Sequence, residues 1–463
     1  MIFGIPSIVI EEALALDDLK EVFLFRHKLN FTFHFIGIIF FFFFSRELFG
    51  SNNRAILATL IYILHPRIFA HSFFNPKDII FMASMSIALY PIVKYIKSLE
   101  YKWLTIASIA MGISMSCRVV GVYIPVLVVL FSIINHIILK NNFSYYNIRS
   151  LFIRSIMVFI FCSTIFYILT PYFWVDPISG FLETFNIAKQ FDFSGNVFFF
   201  GKLIPAKDIP WYYVPVWIFI TTPIIFILFF IIGVLLLIIR MHIVTENNLM
   251  LLFCIISILT PYICSILFNS TLYDGWRHFY FIYPFITTII CFSITSVYDY
   301  LSKYFKKINL IYLKFGLLIG VIINPLYSII FMHPFQQVYF NSLSGTDPMS
   351  NFDGDYWGTS YRQGLEYLIK INTNDSIYVK TANHPGSLNR HIINKKDRKR
   401  LIYEYMIKNK DDFKPDYYIT NYRENIKEYE LAKKNIPPFD NEIYSIDING
   451  MKILGVYKYK KYD

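Results

Sequence analysis

The chain has 463 residues, of which 56% are hydrophobic, 19% aromatic and only 16% charged, against about a quarter charged in soluble proteins. That deficit excludes an ordinary soluble enzyme and points to a membrane. The formal net charge of +11 does not require nucleic acid as a partner, because most of the excess sits in Lys and Arg that flank apolar runs, where a bilayer accounts for it.

A spanning helix needs about 20 mostly apolar residues. About ten segments qualify in chain order: 29–45, 54–73, 79–97, 103–117, 119–139, 152–171, 212–239, 249–269, 277–298 and 310–331, the fourth of them short. The composition therefore predicts a polytopic α-helical membrane protein. Between the second and third segments lies the stretch His65 to Asp78, with Arg67, His71, Asn75, Lys77 and Asp78 within a dozen residues. Arg67, His71 and Asn75 are spaced four apart and share a face if helical, until Pro76 interrupts. Ionisable groups at the edge of a hydrocarbon layer are costly and tend to line a site.

Orientation follows from Lys and Arg. One set of connections holds Arg46, Arg54, Lys94, Lys97, Lys102, Lys140, Arg149, Arg154, Arg240, Lys303, Lys306, Lys307 and Lys314. The other holds Lys77, Arg118, Lys189, Lys202, Lys207 and Arg277. The first set is cytoplasmic by this rule. The His65–Asp78 stretch, the 172–211 loop, the Asp274–His278 segment and everything after residue 332 then lie outside. Residues 1–28 also fall outside, although Lys20, Arg26 and Lys28 crowd the first span. The expectation is a further span upstream of Met1, giving eleven with a cytoplasmic start.

From about residue 332 the long apolar runs stop, and 20 of the 43 Lys and Arg and 17 of the 32 Asp and Glu follow. Three divisions result: 1–28, a membrane domain at 29–331, and a small extracytoplasmic α/β domain at 332–463. In the last, Thr359 or Ser360 caps a predicted helix over 361–371. Strands are predicted over 376–381, 417–420, 442–448 and 451–457, with Asn449-Gly450 as a hairpin turn. The basic run Lys395–Arg400 reads as a solvated surface.

All five cysteines (Cys117, Cys162, Cys254, Cys264 and Cys291) fall in or beside apolar runs, without metal or CxxC spacing, and read as small core residues. No Walker loop, GxSxG or HExxH motif occurs, so ATP-driven transport and serine hydrolysis lack support.

Five motifs carry a resemblance. They are His65-Pro66-Arg67 through Asn75-Pro76-Lys77-Asp78; Cys117-Arg118-Val119-Val120-Gly121; Pro210-Trp211-Tyr212-Tyr213 with Thr221-Thr222-Pro223; Gly275-Trp276-Arg277-His278; and Asp355-Tyr356-Trp357-Gly358. With the many spans and the outer C-terminal domain, they resemble the bacterial GT-C glycosyltransferases of the protein O-mannosyltransferase and aminoarabinose transferase group (glycosyltransferase family 39-like). The resemblance implies a bacterial inner-membrane enzyme that moves a sugar from a polyprenyl-phosphate donor to an acceptor (protein, lipid or cell-wall polymer) on the extracytoplasmic face, with inversion. It also implies a catalytic Asp, often in an Asp-Glu pair, in the first outer loop. Glu11, Glu12, Asp17 and Asp18 do not match that position, so the general base is expected upstream of Met1, with Asp78 a weaker candidate.

Such a transfer needs a carboxylate to take the acceptor proton and cations to stabilise charge on the departing phosphate. Lys77, Arg118 and Arg277 are the basic residues of the short outer connections and the candidate phosphate ligands. Snorkelling to the interface, or pairing with Asp78 or Asp274, is the plainer alternative for them. Arg67, His71, Asn75 and His278 are candidate substrate contacts. Trp211, Tyr212 and Tyr213 form either an interfacial aromatic belt or a wall for sugar or polyprenyl chain. Helix capping is the alternative for Asp78. No cofactor is implied with certainty, no metal ligands are assigned, and the need for a divalent ion stays open. Beside the transferase stand a transporter or lipid flippase, and a truncated family member that binds the carrier without turnover. A transporter favours midplane charges and related halves, whereas the charges here gather at span ends.

Overall fold

The computed structural model describes residues 3–139, 145–189, 191–243, 245–304, 307–408, 413–423 and 425–459; Lys140 and Lys306 of the basic set lie outside the described residues. The chain opens with α1 (Gly4–Ala13) and α2 (Leu19–Phe49). The first span thus sits in a helix that begins at Leu19, where the Asp18 side chain accepts from the N–H of Lys20 at 2.8 Å and caps it.

The expected second span is bent. Helices α3 (Asn52–Ile63) and α4 (Pro66–Phe74) meet at 71°. The cause is local: Pro66 disfavours helical backbone at His65, and His65 turns its Nδ1 to the N–H of Ile68 at 3.4 Å to cap α4. Next come α5 (Asp78–Ser98), α6 (Tyr101–Cys117), α7 (Tyr123–Ile134, entered through a 3-10 turn) and α8 (Tyr145–Ile168). The long loop that follows holds α9 (Pro177–Lys189) and a hairpin of β1 (Asn196–Phe199) and β2 (Lys202–Pro205). The expected span 212–239 is divided into α10 (Tyr213–Thr221) and α11 (Ile224–Arg240), because Thr222 is extended before Pro223. Then follow α12 (Glu246–Leu267), α13 (Tyr283–Leu301) and α14 (Lys307–Phe331).

Every expected span falls on helix. Among the described residues seven helices are long and apolar enough to cross a membrane, or eight if the bent pair is one span. The spans beginning at Asp78 and at Arg277 are 83% and 94% buried and form the centre of the bundle. Helices α2 and α5 touch at Gly37, where a Cβ would stand 2.9 Å from the Ala83 backbone. That approach fixes one side of α5 against α2. All five cysteines are free thiols.

After α14 a stretch of short turns leads to α15 (Tyr361–Ile371), β3 (Ile377–Thr381), α16 (His384–Leu388), α17 (Lys395–Arg398), β4 (Leu401–Ile402), β5 (Tyr417–Thr420), α18 (Ile426–Lys433), β6 (Glu442–Ile448) and β7 (Met451–Lys458). The sheet order is β4-β3-β5-β7-β6; β3 is parallel to β4 and β5, and β7 is antiparallel to β5 and β6. Asn449 (φ 51°) and Gly450 (φ 80°) make the hairpin turn, the double positive φ that such a dipeptide favours. Leu365 and Leu368 of α15 are fully buried. Ser360 precedes α15 without capping it; its hydroxyl donates to Asp355 instead.

This α/β unit is tied to the rest of the chain at several places. Arg398 pairs with Asp18 at 3.1 Å, and His391 stacks on Phe23 with ring centroids 6.4 Å apart. The basic run is therefore only partly solvated: Lys395, Lys396 and Lys399 are exposed, while Arg398 pairs and Arg400 donates to the carbonyls of Asn372 and Asn374. On the other side, Phe199 of β1 bridges to Phe352.

Candidate active site

The site is built where the broken second span meets the first turn of α5. Helix α4 presents His71, and Asn75 closes it. The Asn75 side-chain oxygen accepts from the N–H groups of Lys77 (3.3 Å) and Asp78 (3.0 Å), so Asn75 turns the chain into α5. Its amide nitrogen donates to Asp78 Oδ2 at 2.9 Å and lies 3.1 Å from His71 Nδ1. The opposite ring nitrogen of His71 stands 3.2 Å from Tyr356 Oη. Asn30 of α2 braces the same helix end by donating to the carbonyl of Ser72 at 2.7 Å.

Asp78 is buried and doubly paired: Arg118 holds Oδ1, and Arg277 Nη1 is 3.0 Å from Oδ2. Arg277 continues to Asp274 at 3.2 Å, and Asp274 receives Arg423 from the α/β unit at 2.9 Å. The turn that presents Asp274 has left-handed backbone at Asp274 (φ 58°) and Gly275 (φ 71°), and is held by Tyr213 Oη, which accepts from the Gly275 N–H at 3.1 Å. Three guanidiniums therefore share two carboxylates. Arg277 also lies over the Tyr273 and Trp357 rings, 4.8 and 5.7 Å from their centroids. Among the described residues, buried Arg118 Nε, Arg277 Nε, His278 Nδ1 and Trp357 Nε1 have no hydrogen-bond partner.

Lys77 does not pair with its neighbour Asp78. It is exposed at the edge of the cluster and forms no ion pair among the described residues. Asp78 in turn opens α5 without capping it with its side chain; Asn75 performs that role. Arg67 is fully buried on α4, its Nε donating to the Tyr339 carbonyl at 2.8 Å and its guanidinium 4.5 Å from the Phe340 ring centroid and 5.3 Å from that of Trp217. Its Nη2 has no partner, and no carboxylate pairs with it among the described residues. His278 packs edge-on against Tyr273, with centroids 4.8 Å apart.

The aromatic trio divides. Tyr213 is buried and serves the Asp274-Gly275 turn, whereas Trp211 and Tyr212 are 67% and 40% exposed at the mouth of α10. Asp355 faces the α/β unit: Thr359 and Ser360 donate backbone N–H groups to it at 3.0 and 2.8 Å, and the Ser360 hydroxyl and Gln337 amide join them. Burial pushes its carboxyl above the ordinary value, against the pull of those donors. It ties the turns after α14 to the start of α15 and forms no ion pair with the arginine cluster among the described residues.

Asp274 was visible in the sequence only as a neighbour of Arg277. Arg423 gave no sign at all, since it lies in a strand-to-helix turn of ordinary composition. Tyr356 and Trp357 stood in a quoted motif without an assigned contact to His71 or Arg277. Among the described residues no group of three His, Cys, Asp or Glu is placed to hold a metal ion.

Fold and cluster together describe a polytopic membrane protein with a network of arginines and carboxylates at one end of its bundle. Residues 29–169 match the family model described as dolichyl-phosphate-mannose-protein mannosyltransferase. This match takes in His65–Asp78 and Arg118, and bears out the likeness to the polyprenyl-phosphate-dependent glycosyltransferases. No curated protein matches the chain. Among solved structures it is similar to ArnT from Cupriavidus metallidurans bound to undecaprenyl phosphate, at 10% identity over 97% of this chain and 86% of that one, with a TM-score of 0.46. The apo state of the same protein gives 10% identity over 93% and 83%, with a TM-score of 0.43.

Proposed function

We propose that the chain transfers a sugar from a polyprenyl phosphate to an acceptor, with inversion, on the outer face of a bacterial inner membrane, the face where the α/β unit then lies. The observation that carries this is the convergence of Arg118 and Arg277 on buried Asp78 at the α4–α5 junction, with exposed Lys77 beside them and in no ion pair among the described residues. Cations gathered at the edge of a hydrocarbon layer are costly unless an anion joins them. The phosphate of a lipid-linked sugar, drawn from the family description, supplies that anion at the depth of the membrane edge.

In this account Lys77 meets the phosphate first as a mobile point charge, and Arg118 and Arg277 offer planar forks to its oxygens. As the acceptor attacks C1, negative charge grows on the departing phosphate, and pre-placed cations stabilise it more than they stabilise the bound donor. Asp78 has both oxygens committed to arginine, which makes it their counter-ion and orienter rather than the general base. The base comes from outside this cluster. Asn75 and His71 position the junction, with Tyr356 and Trp357 closing it from the C-terminal side.

The test is transfer from synthetic polyprenyl-phosphate sugars by the full chain in detergent or nanodiscs, with Lys77→Ala and Arg277→Ala beside it. Transfer that falls in both variants supports the assignment; transfer undiminished in both removes it.

A further inference from the structure

A second cationic site lies at the opposite end of the bundle. A cleft of ≈ 210 Å³ opens between the end of α2, the start of α3, the α11–α12 connection and the last turns of α13; Arg54, Arg240, Asn247, Ser296 and Phe292 line it, together with one carboxylate, Asp299. The helix ends that form it are those carrying the Lys and Arg excess, so it faces the side away from His65–Asp78.

Its charges are arranged unequally. Arg54 is paired with Asp299 at 2.8 Å. Arg240 has no carboxylate partner among the described residues; its guanidinium lies over the Phe292 ring, 5.2 Å from the centroid, which holds the fork in place without neutralising it. The first turn of α12 adds to this. Its cap is complete, with Thr245 Oγ1 accepting from the Asn248 N–H at 3.2 Å, and Asn248 Nδ2 donates to the carbonyls of Arg240 (3.2 Å) and Ile243 (2.8 Å). Asn248 thereby fixes the α11–α12 connection and the position of Arg240 on the cleft. The positive end of a 22-residue helix faces the same space. Leu48 and Phe292, both buried, form the apolar wall behind this polar rim.

We propose that this cleft binds the phosphate headgroup of an anionic membrane lipid, with Arg240 as its principal ligand and Arg54 as the second. Basic pockets between spanning helices on the cytoplasmic side take anionic headgroups in this manner. The inference is independent of the transferase reading, since it uses none of that site's residues.

The experiment is native mass spectrometry of the full chain released from nanodiscs of phosphatidylcholine with or without phosphatidylglycerol, repeated with millimolar inorganic phosphate. Arg240→Gln, Arg240→Lys and Lys102→Gln are measured beside the wild type, Lys102 being a basic residue of the same face outside the cleft. The expected result is retention of phosphatidylglycerol over phosphatidylcholine, reduced about fivefold by Arg240→Gln, reduced less by Arg240→Lys, and unchanged by Lys102→Gln. Arg240-dependent binding of inorganic phosphate without lipid preference would overturn the lipid assignment in favour of a free phosphate. Equal retention in Arg240→Gln, or equal loss in Lys102→Gln, would overturn the site.

Discussion

Arg423 Nη2 stands 2.9 Å from one oxygen of Asp274, while Arg277 Nη2 stands 3.2 Å from the other. One carboxylate thus joins the α/β unit to the arginine that also holds Asp78. The C-terminal unit is connected electrostatically to the candidate phosphate ligands, and Arg423 Nη1 reinforces the connection by donating to the Tyr356 carbonyl at 3.0 Å. Movement of the unit would therefore move Arg277.

Removing Arg423 tests that connection. Arg423→Ala is expected to lower stability by about 1–3 kcal/mol, since Asp274 loses a charged donor. A cycle with Asp274→Asn should return a coupling of about 0.5–3 kcal/mol. Sugar transfer should fall as well, through misplacement of Arg277. Denaturation in detergent and transfer assays on the four proteins of the cycle check this; additive effects in both readouts would disconnect the unit from the site.

Asp78→Ala should be the most damaging substitution at the junction. It leaves Arg118 and Arg277 without their shared carboxylate in a buried place, and loss of one partner from such a group costs about 3–5 kcal/mol. Asp78→Asn keeps the shape and the bond from Asn75 in part, and should fall between. Thermal unfolding of both variants decides it, and equal melting temperatures for all three proteins would show that the pairing carries no stability.

Much of this architecture was legible in the sequence because it depends on local periodicity. The hairpin at Asn449-Gly450, helix 361–371 and the strand at 417–420 all follow from short-range chemistry, and the helical spans follow from apolar length. Partner choice did not. Lys77 adjoins Asp78 in the chain, yet the chain turn at Asn75 sends the carboxylate inward to Arg118 and Arg277, 40 and 199 residues away, and leaves the lysine outside. The bend at His65 was signalled by Pro66, but a run of apolar residues on both sides made one span the simpler reading. Arg423 could not be connected to Asp274 until the sheet placed its turn above the bundle.

Arg67 separates stability from function. A fully buried guanidinium without a carboxylate partner is costly, and its aromatic neighbours offset only part of that. Arg67→Met keeps the volume and removes the charge. The melting temperature is expected to stay level or rise while transfer falls, as when a strained functional group is replaced. A large drop in melting temperature would make Arg67 a packing residue instead.

Asp355 provides a pH signature. Its folded-state pKa is raised by burial above the ordinary 3.8, so its stabilising contribution is complete below that value and is lost as pH rises through the raised pKa. Asp355→Asn gives up a second acceptor for the Thr359 and Ser360 donors and should be less stable throughout. Its stability should also depend less on pH across the acidic range than that of the wild type. Parallel stability–pH curves for the two proteins would contradict a raised pKa at this position.

Direct binding tests, without requiring turnover, whether the α4–α5 junction holds a lipid phosphate. Affinity for a sugar-free polyprenyl phosphate would be measured by titration calorimetry or microscale thermophoresis on the full chain, with Lys77→Ala, Arg277→Ala and, as a control, Lys189→Ala in the outer loop. The account predicts that Arg277→Ala weakens binding about 10- to 100-fold, as expected for loss of a charge-assisted pair worth about 1.5–3 kcal/mol, that Lys77→Ala weakens it less, and that Lys189→Ala leaves it unchanged. Unaltered affinity in folded Arg277→Ala and Lys77→Ala would contradict it.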